Sequence, residues 1–257
     1  MNFLKVNIKK SFRPSIYLIM TLVFVLLSSC KDENSISKEL VPAITKQAGQ
    51  DTITETEVLD EVLNTIPEPL SLESLADSTF IRLADYSDGF GYDMRYATEN
   101  NFLKEKVYDC AECYTRVKTA KALLAANTDF KKKGVKIIFF DCYRPNSVQY
   151  KMWKIVPNPQ YVANPVKGSI HNKGGAVDIT LATLDGEELD MGTDFDFFGK
   201  RAYHDMTNLP QEILDNRKLL KETMEKHGFG SIRTEWWHYN LSTASNDLIA
   251  NFKWDCN

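Results

Sequence analysis

Two short segments of the sequence carry residues that could bind and use a metal ion. The first holds His171 and Asp178, and the second holds Glu235 and His238. A catalytic zinc takes three protein ligands from His, Asp, Glu or Cys and keeps a fourth position open for water. His171, Asp178 and His238 supply such a set, so the sequence predicts one Zn²⁺ per chain. Glu235 remains free to act as the general base.

The chemistry that this set predicts is metal-assisted hydrolysis of a peptide bond. A bound zinc lowers the pKa of a water molecule to about 7, and Glu235 could accept the proton that this water releases. A single histidine is more often structural, and that interpretation is given to His204 and His227. It suits His171 and His238 less well, because both lie in segments with further candidate groups.

The spacing of Glu235 and His238 constrains the conformation of the backbone between them. Side chains three residues apart point to opposite faces of a regular strand. The aromatic residues Trp236, Trp237 and Tyr239 favour a strand here. The sequence therefore predicts a bulge or a strand end around Trp236–Trp237 that turns both side chains toward the metal. Gly174 and Gly175 suit a tight turn that leads from His171 to the strand with Asp178.

Hydrophobic periodicity and turn residues predict the elements that hold these segments. Within the strand around Asp178, the residues Ala176, Asp178 and Thr180 share one face, and the alternate residues face the core. Helices and strands do not alternate strictly, which favours an α+β fold with a small antiparallel sheet and flanking helices. The predicted helices are Thr115–Lys133, Ser147–Val156 and Pro210–His227, and the predicted strands are Val135–Phe140, Ala176–Leu181 and Thr234–Leu241.

The first 30 residues are typical of an export signal. Basic residues precede the apolar run Ile16–Leu27, which is short for a membrane span. The run ends in Leu-Ser-Ser-Cys30, which resembles the bacterial lipobox, where the cysteine is lipidated. We expect a cell-envelope lipoprotein, periplasmic or associated with the outer membrane, that is anchored at Cys30. A short transmembrane anchor is the alternative.

Charge and composition divide the rest of the chain at residue 80. Residues 31–79 carry a net charge of −8 and no aromatic residue, which predicts a mostly disordered tether. Residues 80–257 carry a net charge of zero and contain the predicted elements, so we expect one folded domain there. A neutral domain lacks the basic surface that nucleic-acid binding requires, so no nucleic-acid partner is expected.

Four cysteines remain after Cys30, namely Cys110, Cys113, Cys142 and Cys256. An even number in an exported chain suggests disulfides, and four cysteines allow three pairings. A second metal site at Cys110-x-x-Cys113 and free thiols are the alternatives. The sequence does not decide among them.

At this point the sequence resembles a known family. The patterns Ser-x-His-x-x-Gly-x-Ala-x-Asp, from residue 169, and Glu-x-x-His, from residue 235, are the signature of the zinc D-Ala-D-Ala peptidases. These share a core with lysostaphin-type enzymes and the hedgehog signalling domain. The VanX-type D-alanyl-D-alanine dipeptidases are the more similar branch. Further shared features are 96–102, 141–145 and 191–197, so the resemblance spans the folded domain.

The resemblance implies roles for four more residues. Arg144 would stabilise the oxyanion that forms on the scissile carbonyl, and a planar, permanently charged guanidinium suits this role. A structural ion pair is the alternative for Arg144. Tyr96 and Asp196 match residues that recognise the free amino group of a dipeptide. Ser169 matches one that binds near the carboxylate end of the substrate.

The function expected from the resemblance is zinc-dependent hydrolysis of D-Ala-D-Ala in cell-wall turnover. A peptidoglycan D,D-carboxypeptidase or endopeptidase would keep the metal and change the substrate. A wall-binding lipoprotein without catalysis is a more remote alternative, since a binder would need neither Glu235 nor Arg144.

Overall fold

The structure is a computed structural model, and it describes residues 70–256. The export signal, Cys30 and residues 31–69 of the predicted tether lie outside the described residues. Leu72 and Leu75, inside the range predicted as tether, are partly buried and pack against the core. Within residues 70–256, no helix has the length and apolar character needed to cross a bilayer.

Three α-helices and seven strands form between residues 70 and 256. The helices are α1 (Val117–Lys131), α2 (Asn146–Ile155) and α3 (Gln211–Lys226). The strands are β1 (Phe80–Arg82), β2 (Gly91–Tyr92), β3 (Tyr114–Arg116), β4 (Val135–Asp141), β5 (Ala176–Thr183), β6 (Phe229–Ile232) and β7 (Glu235–Leu241). The three predicted helices and the three predicted strands are confirmed, with ends that differ by at most two residues.

The main sheet has the strand order β2-β4-β5-β7-β6, and β1 and β3 form a second sheet of two strands. All neighbouring strands are antiparallel except β2 and β4, which are parallel. Helix α1 packs against β4, and α3 packs against β6. These features confirm the expected α+β fold, in which the short strands β1, β2, β3 and β6 were not predicted.

Strand β5 is buried on both faces. Val177, Ile179 and Leu181 lie in the hydrophobic core, as the alternation predicted. Asp178 and Thr180 on the other face are also buried, with exposed fractions of 4% and 1%. This second face is therefore not a solvent-facing surface, and any polar group on it needs partners inside the protein.

Two irregularities in strand register lie beside the predicted ligands. On β4, Phe139 pairs with Ile179 and Asp141 pairs with Asp178, so Phe140 is an extra residue. This bulge turns Asp141 to the same face as Asp178.

On β7, the irregularity lies between Glu235 and Tyr239. Tyr239 pairs with Ser231, while Glu235 pairs with Ile232, so the three residues between them have no partner on β6. The predicted irregularity around Trp236–Trp237 is thus confirmed. It changes the side of the strand to which Glu235 points relative to His238.

The turn that carries His171 is packed tightly against its surroundings. Residues His171–Lys173 form one 3-10 turn, which ends at Gly174 with a φ of +71°. A Cβ atom at Gly174 would lie 2.4 Å from the ring of Phe80 and 3.1 Å from the side chain of Arg116. Glycine is therefore needed at 174 both for the left-handed backbone and for space.

Replacing Gly174 by alanine should cost more stability than the same change at Gly134. Gly134 also has a positive φ, +78°, but a Cβ atom there would have no other atom within 4 Å. Gly134→Ala should then cost about 1–2 kcal/mol, the strain of the left-handed backbone. Gly174→Ala should cost about 1–3 kcal/mol more, because the added methyl group would also collide with Phe80 and Arg116. Urea unfolding with intact disulfides measures both values, and equal values would contradict the packing argument.

Candidate metal centre and active site

The side chains of His171, Asp178 and His238 converge on one point. The Nδ1 atom of His238 lies 2.9 Å from Oδ1 of Asp178 and 3.2 Å from Nε2 of His171, and the third edge, from Nε2 of His171 to Oδ1 of Asp178, is 3.4 Å. Ligand atoms at about 2.0–2.1 Å from a tetrahedral zinc are about 3.3 Å apart. The donor set, with one atom from each residue, therefore fits a four-coordinate metal ion.

Strand pairing places two of these ligands. Asp178 on β5 is the direct partner of His238 on β7, and directly paired residues project to the same face. His171 arrives from the 3-10 turn that precedes β5. His171 and Asp178 are buried, and His238 is half-buried.

Hydrogen bonds fix both imidazole rings. The Nδ1 of His171 donates to the carbonyl oxygen of Cys142 at 2.8 Å, which leaves Nε2 to face the centre. The Nε2 of His238 donates to Oδ1 of Asn240 at 3.0 Å, which leaves Nδ1 for the metal. Such partners hold the tautomer and the orientation of a ligating histidine. Asn240 was not predicted, although its position two residues after His238, on the same face of a strand, was a usable signal.

The electrostatics of the centre favour a cation. Burial works to raise the pKa of Asp178, but the charge and hydrogen bonds of His171 and His238 outweigh it and hold that pKa below its ordinary value. Burial works to lower the pKa of His238, whereas its hydrogen bond to Asp178 and the charges of Asp178 and Glu235 raise it. Groups that favour protonation of an imidazole also favour a metal cation in its place.

Glu235, at the start of β7, has the properties of a general base. Burial raises the pKa of this half-buried carboxyl group, and the charge of Asp178 raises it further. The charges of His238, His171 and Arg144 act in the opposite direction, and the net result lies above the ordinary value. A carboxylate whose pKa is moved toward neutrality accepts a proton more readily than an ordinary one.

Arg144 lies buried beside the centre and is held by Asp141. Its Nε donates to Oδ2 of Asp141 at 3.1 Å, its Nη2 makes a second, shorter bond to the same atom, and its Nη1 donates to Gln149 at 3.0 Å. Burial works to lower the pKa of Arg144, but Asp141 and the neighbouring phenols and carboxylates hold it well above its usual value. Its positive charge is therefore permanent.

Asp141 is the main residue that sequence reasoning missed. It pairs with Asp178 across β4 and β5, holds Arg144, and accepts a hydrogen bond of 2.6 Å from the hydroxyl of Tyr108. The signal was present as an acidic residue three positions before Arg144. The ion pair expected as the structural alternative for Arg144 thus exists. It also orients the guanidinium next to the centre.

Tyr96 and Asp196 lie together, as the resemblance implied. The Tyr96 hydroxyl donates to the Asp196 carboxylate at 3.1 Å, and the guanidinium of Arg144 lies 5.2 Å from the centre of the Tyr96 ring. Asp196 has a left-handed backbone, with a φ of +60°, and such strain is concentrated at functional sites. Burial and the charge of Asp178 raise the pKa of Asp196 well above its usual value.

Ser169 lies two residues before His171 and connects to the same region. Its backbone N–H and its hydroxyl both donate to the side-chain oxygen of Asn172. The structure therefore brings the eight predicted site residues of the range 70–256 into one region. Their individual roles remain predictions, and Cys30 lies outside the described residues.

The four remaining cysteines form two disulfides, Cys113–Cys142 and Cys110–Cys256. This pairing is one of the three that the sequence allowed. It excludes the alternatives of free thiols and of a metal site at Cys110-x-x-Cys113, because each of these two cysteines is bonded elsewhere. The first bond joins Cys142, whose carbonyl orients His171, to the residue before β3.

Comparisons with known proteins place the chain in a peptidase family. Residues 76–255 match the Peptidase M15 family, which is described as D-ala-D-ala dipeptidase. The D-alanyl-D-alanine dipeptidase of Escherichia coli (strain K12) is 32% identical over 179 residues, which cover 69% of this chain and 93% of that protein. The protein of the same name from Enterococcus faecalis is 32% identical over 186 residues, which cover 64% of this chain and 92% of that protein.

Among solved structures, this chain is similar to a mutant of the vancomycin resistance D,D-pentapeptidase VanY in complex with Zn(II). The two are 16% identical with a TM-score of 0.34, over 51% of this chain and 74% of the VanY chain.

Replacing His238 by alanine should abolish stoichiometric metal binding, because two ligands cannot complete the centre. His227→Ala is the matched control. His227 follows the end of α3, bonds to Asp129 on α1, and takes no part in the metal-ligand cluster. Both variants would be stripped with a chelator, supplied with Zn²⁺, and desalted before mass-spectrometric metal analysis. The control should keep about one ion per chain. Full metal content in His238→Ala would contradict the assignment of this ligand.

Proposed function

This chain belongs to the D-Ala-D-Ala dipeptidase family, Peptidase M15, and we propose that it is a zinc-dependent enzyme that hydrolyses the dipeptide D-Ala-D-Ala. The observation that carries the proposal is the donor triangle of His171, Asp178 and His238, with its edges of 2.9–3.4 Å beside Glu235 and Arg144. A zinc ion, when bound, supplies Lewis acidity and makes water a nucleophile near neutral pH.

Two protein side chains carry out the proton transfer and the stabilisation of charge. Glu235 takes a proton from the attacking water and delivers it to the nitrogen of the leaving D-alanine. Arg144, with its permanent charge and its fixed orientation on Asp141, stabilises the negative charge that develops on the carbonyl oxygen. Because Asp141 and Gln149 already hold the guanidinium, little reorganisation is needed when that charge appears.

The variant Glu235→Gln separates the base from the metal ligands. It keeps the size of the side chain and removes its ability to accept a proton, so kcat for D-Ala-D-Ala should fall by about 10²–10⁴-fold. Zinc content should stay at one per chain, because Glu235 is not in the ligand set. D-alanine release and metal analysis on the same sample measure both. An active, zinc-loaded variant would rule out this role for Glu235.

Asp196 supports a substrate with a free amino group. Its half-buried carboxylate accepts a hydrogen bond from Tyr96, but no residue in the range 70–256 forms a salt bridge with it. Burial of a carboxylate without a cationic partner costs free energy. The ammonium group of a dipeptide would provide that partner, whereas an acylated substrate would not.

Acetylation of the amino group should therefore reduce hydrolysis strongly. We expect kcat/KM for N-acetyl-D-Ala-D-Ala to be lower than for D-Ala-D-Ala by about 10–10²-fold, since a charged hydrogen-bonded contact is worth about 1.5–3 kcal/mol and its loss leaves the half-buried Asp196 without a cationic partner. Asp196→Asn should reduce the difference between the two substrates. Equal cleavage of both, or of a muropeptide, would instead favour the D,D-carboxypeptidase or endopeptidase function.

We also infer that the enzyme is an envelope lipoprotein anchored at Cys30 and that it acts on wall fragments. The support is the signal-like segment 1–30 with its lipobox pattern. An exported enzyme would not meet the cytoplasmic dipeptide pool, which favours wall turnover over glycopeptide resistance. Cys30→Ser should abolish incorporation of labelled palmitate in a bacterial host and release the protein from the membrane fraction. Continued labelling of this variant would contradict the anchor.

A further inference from the structure

Asn172 is completely buried next to the predicted ligand His171, and its side-chain amide joins two site residues. Its Nδ2 donates to the backbone carbonyl of Arg144 at 2.8 Å. Its Oδ1 accepts the N–H of Ser169 at 2.7 Å and the hydroxyl of Ser169 at 3.1 Å. A carbonyl can only accept and an N–H can only donate, so these partners fix the orientation of the amide.

The backbone of Asn172 joins the same point to the end of the chain. Its carbonyl accepts the N–H of Ala250 at 2.8 Å, and the carbonyl of Ala250 accepts the N–H of Asn146 at 3.1 Å. The backbone N–H of Arg144 donates to the carbonyl of His171 at 3.1 Å. Three links therefore join the turn with His171 to the segment with Arg144. They are a direct backbone hydrogen bond, the side chain of Asn172, and the backbone of Ala250.

The chain from 247 to 256, here called the C-terminal segment, is itself well anchored. The carbonyl of Phe252 accepts a hydrogen bond from the Tyr143 hydroxyl at 3.1 Å, and the two rings stack with their centroids 5.3 Å apart. The carbonyl of Leu248 accepts a hydrogen bond from the buried Arg116. Cys256 closes the segment through its disulfide with Cys110.

We propose that Asn172 is a positioning residue, which holds the backbone of Arg144 and the turn of His171 in register with the C-terminal segment. The expected effect on kcat rests on the proposed function. The role of Asn172 in holding the two segments does not, and it can be tested without a substrate. Asn172 need not touch the substrate. It acts through Arg144, whose guanidinium must lie at a fixed distance from the carbonyl that reacts.

The kinetic test compares Asn172→Ala with Asn127→Ala. Asn127 is also a buried asparagine with two hydrogen bonds to backbone, to Gly89 and Ile137, and it lies on α1 away from the site. Both variants should be less stable than the native protein. At a temperature well below both melting points, kcat should fall by about 10–10²-fold in Asn172→Ala, with a smaller change in KM, and stay near the native value in Asn127→Ala.

Hydrogen exchange followed by mass spectrometry gives a readout that needs no substrate. In zinc-loaded Asn172→Ala, exchange should accelerate in peptides that cover 143–149 and 168–175, and the same peptides should keep native rates in Asn127→Ala. Native exchange in these peptides together with native kcat would overturn the proposal. So would equal changes in the two variants, since these would mark a general loss of stability.

A second variant, Asn172→Asp, decides the matter if Asn172→Ala does not fold. It keeps the size of the side chain and the oxygen that accepts from Ser169, and it replaces the Nδ2 donor to the carbonyl of Arg144 by an acceptor. Faster exchange at 143–149 and 168–175 with bound zinc is expected, and native exchange there would overturn the proposal. If the native protein fails to hydrolyse D-Ala-D-Ala, the proposed function falls, while the exchange rates still decide the role of Asn172.

Discussion

The direct pairing of Asp178 with His238 between β5 and β7 is the constraint on which the centre depends. A slip of one residue in this pairing would turn one of the two side chains to the opposite face of the sheet. Val177, Ile179 and Leu181 oppose such a slip, because it would move all three out of the core. The hydrophobic face of β5 therefore fixes the position of Asp178 relative to His238 on the neighbouring strand.

Regular strands alone would not assemble the rest of the site. The extra residue at Phe140 brings Asp141 to the face of Asp178, and the irregular stretch of β7 does the same for Glu235 and His238. The carboxylates of Asp141, Asp178, Asp196 and Glu235 therefore lie close together around the ligands, near Arg144. Burial and the charge of Asp178 raise the pKa values of Asp196 and Glu235, and a divalent cation at the ligand set would relieve the repulsion among these groups. A bound metal would therefore contribute to the electrostatic balance of the folded site as well as to its reactivity.

Sequence patterns predicted the long elements and the principal groups, but not the small structural links between them. Periodicity located α1, α3, β4 and β5, because long segments with one buried face repeat their signal several times. It missed β2 and β6, whose few residues carry little periodicity and whose formation depends on a neighbouring strand. The convergence of His171, Asp178 and His238 followed from residue types, whereas the hydrogen bonds of Asn172 and of the Cys142 carbonyl involve backbone atoms that every residue has. The disulfide pairing also depended on the tertiary fold.

The Cys113–Cys142 bond has a consequence for when the protein matures. It closes a loop between residues 29 apart, which in the chain-entropy account restrains the unfolded state by about 3–4 kcal/mol. It also holds the residue whose carbonyl orients the ring of His171. In the reducing cytosol such a bond does not persist, so a newly made chain would lack the loop restraint, and the segment with Cys142 would be held by noncovalent contacts alone. Thiol oxidation would therefore add to the stability of the segment that orients the ring of His171.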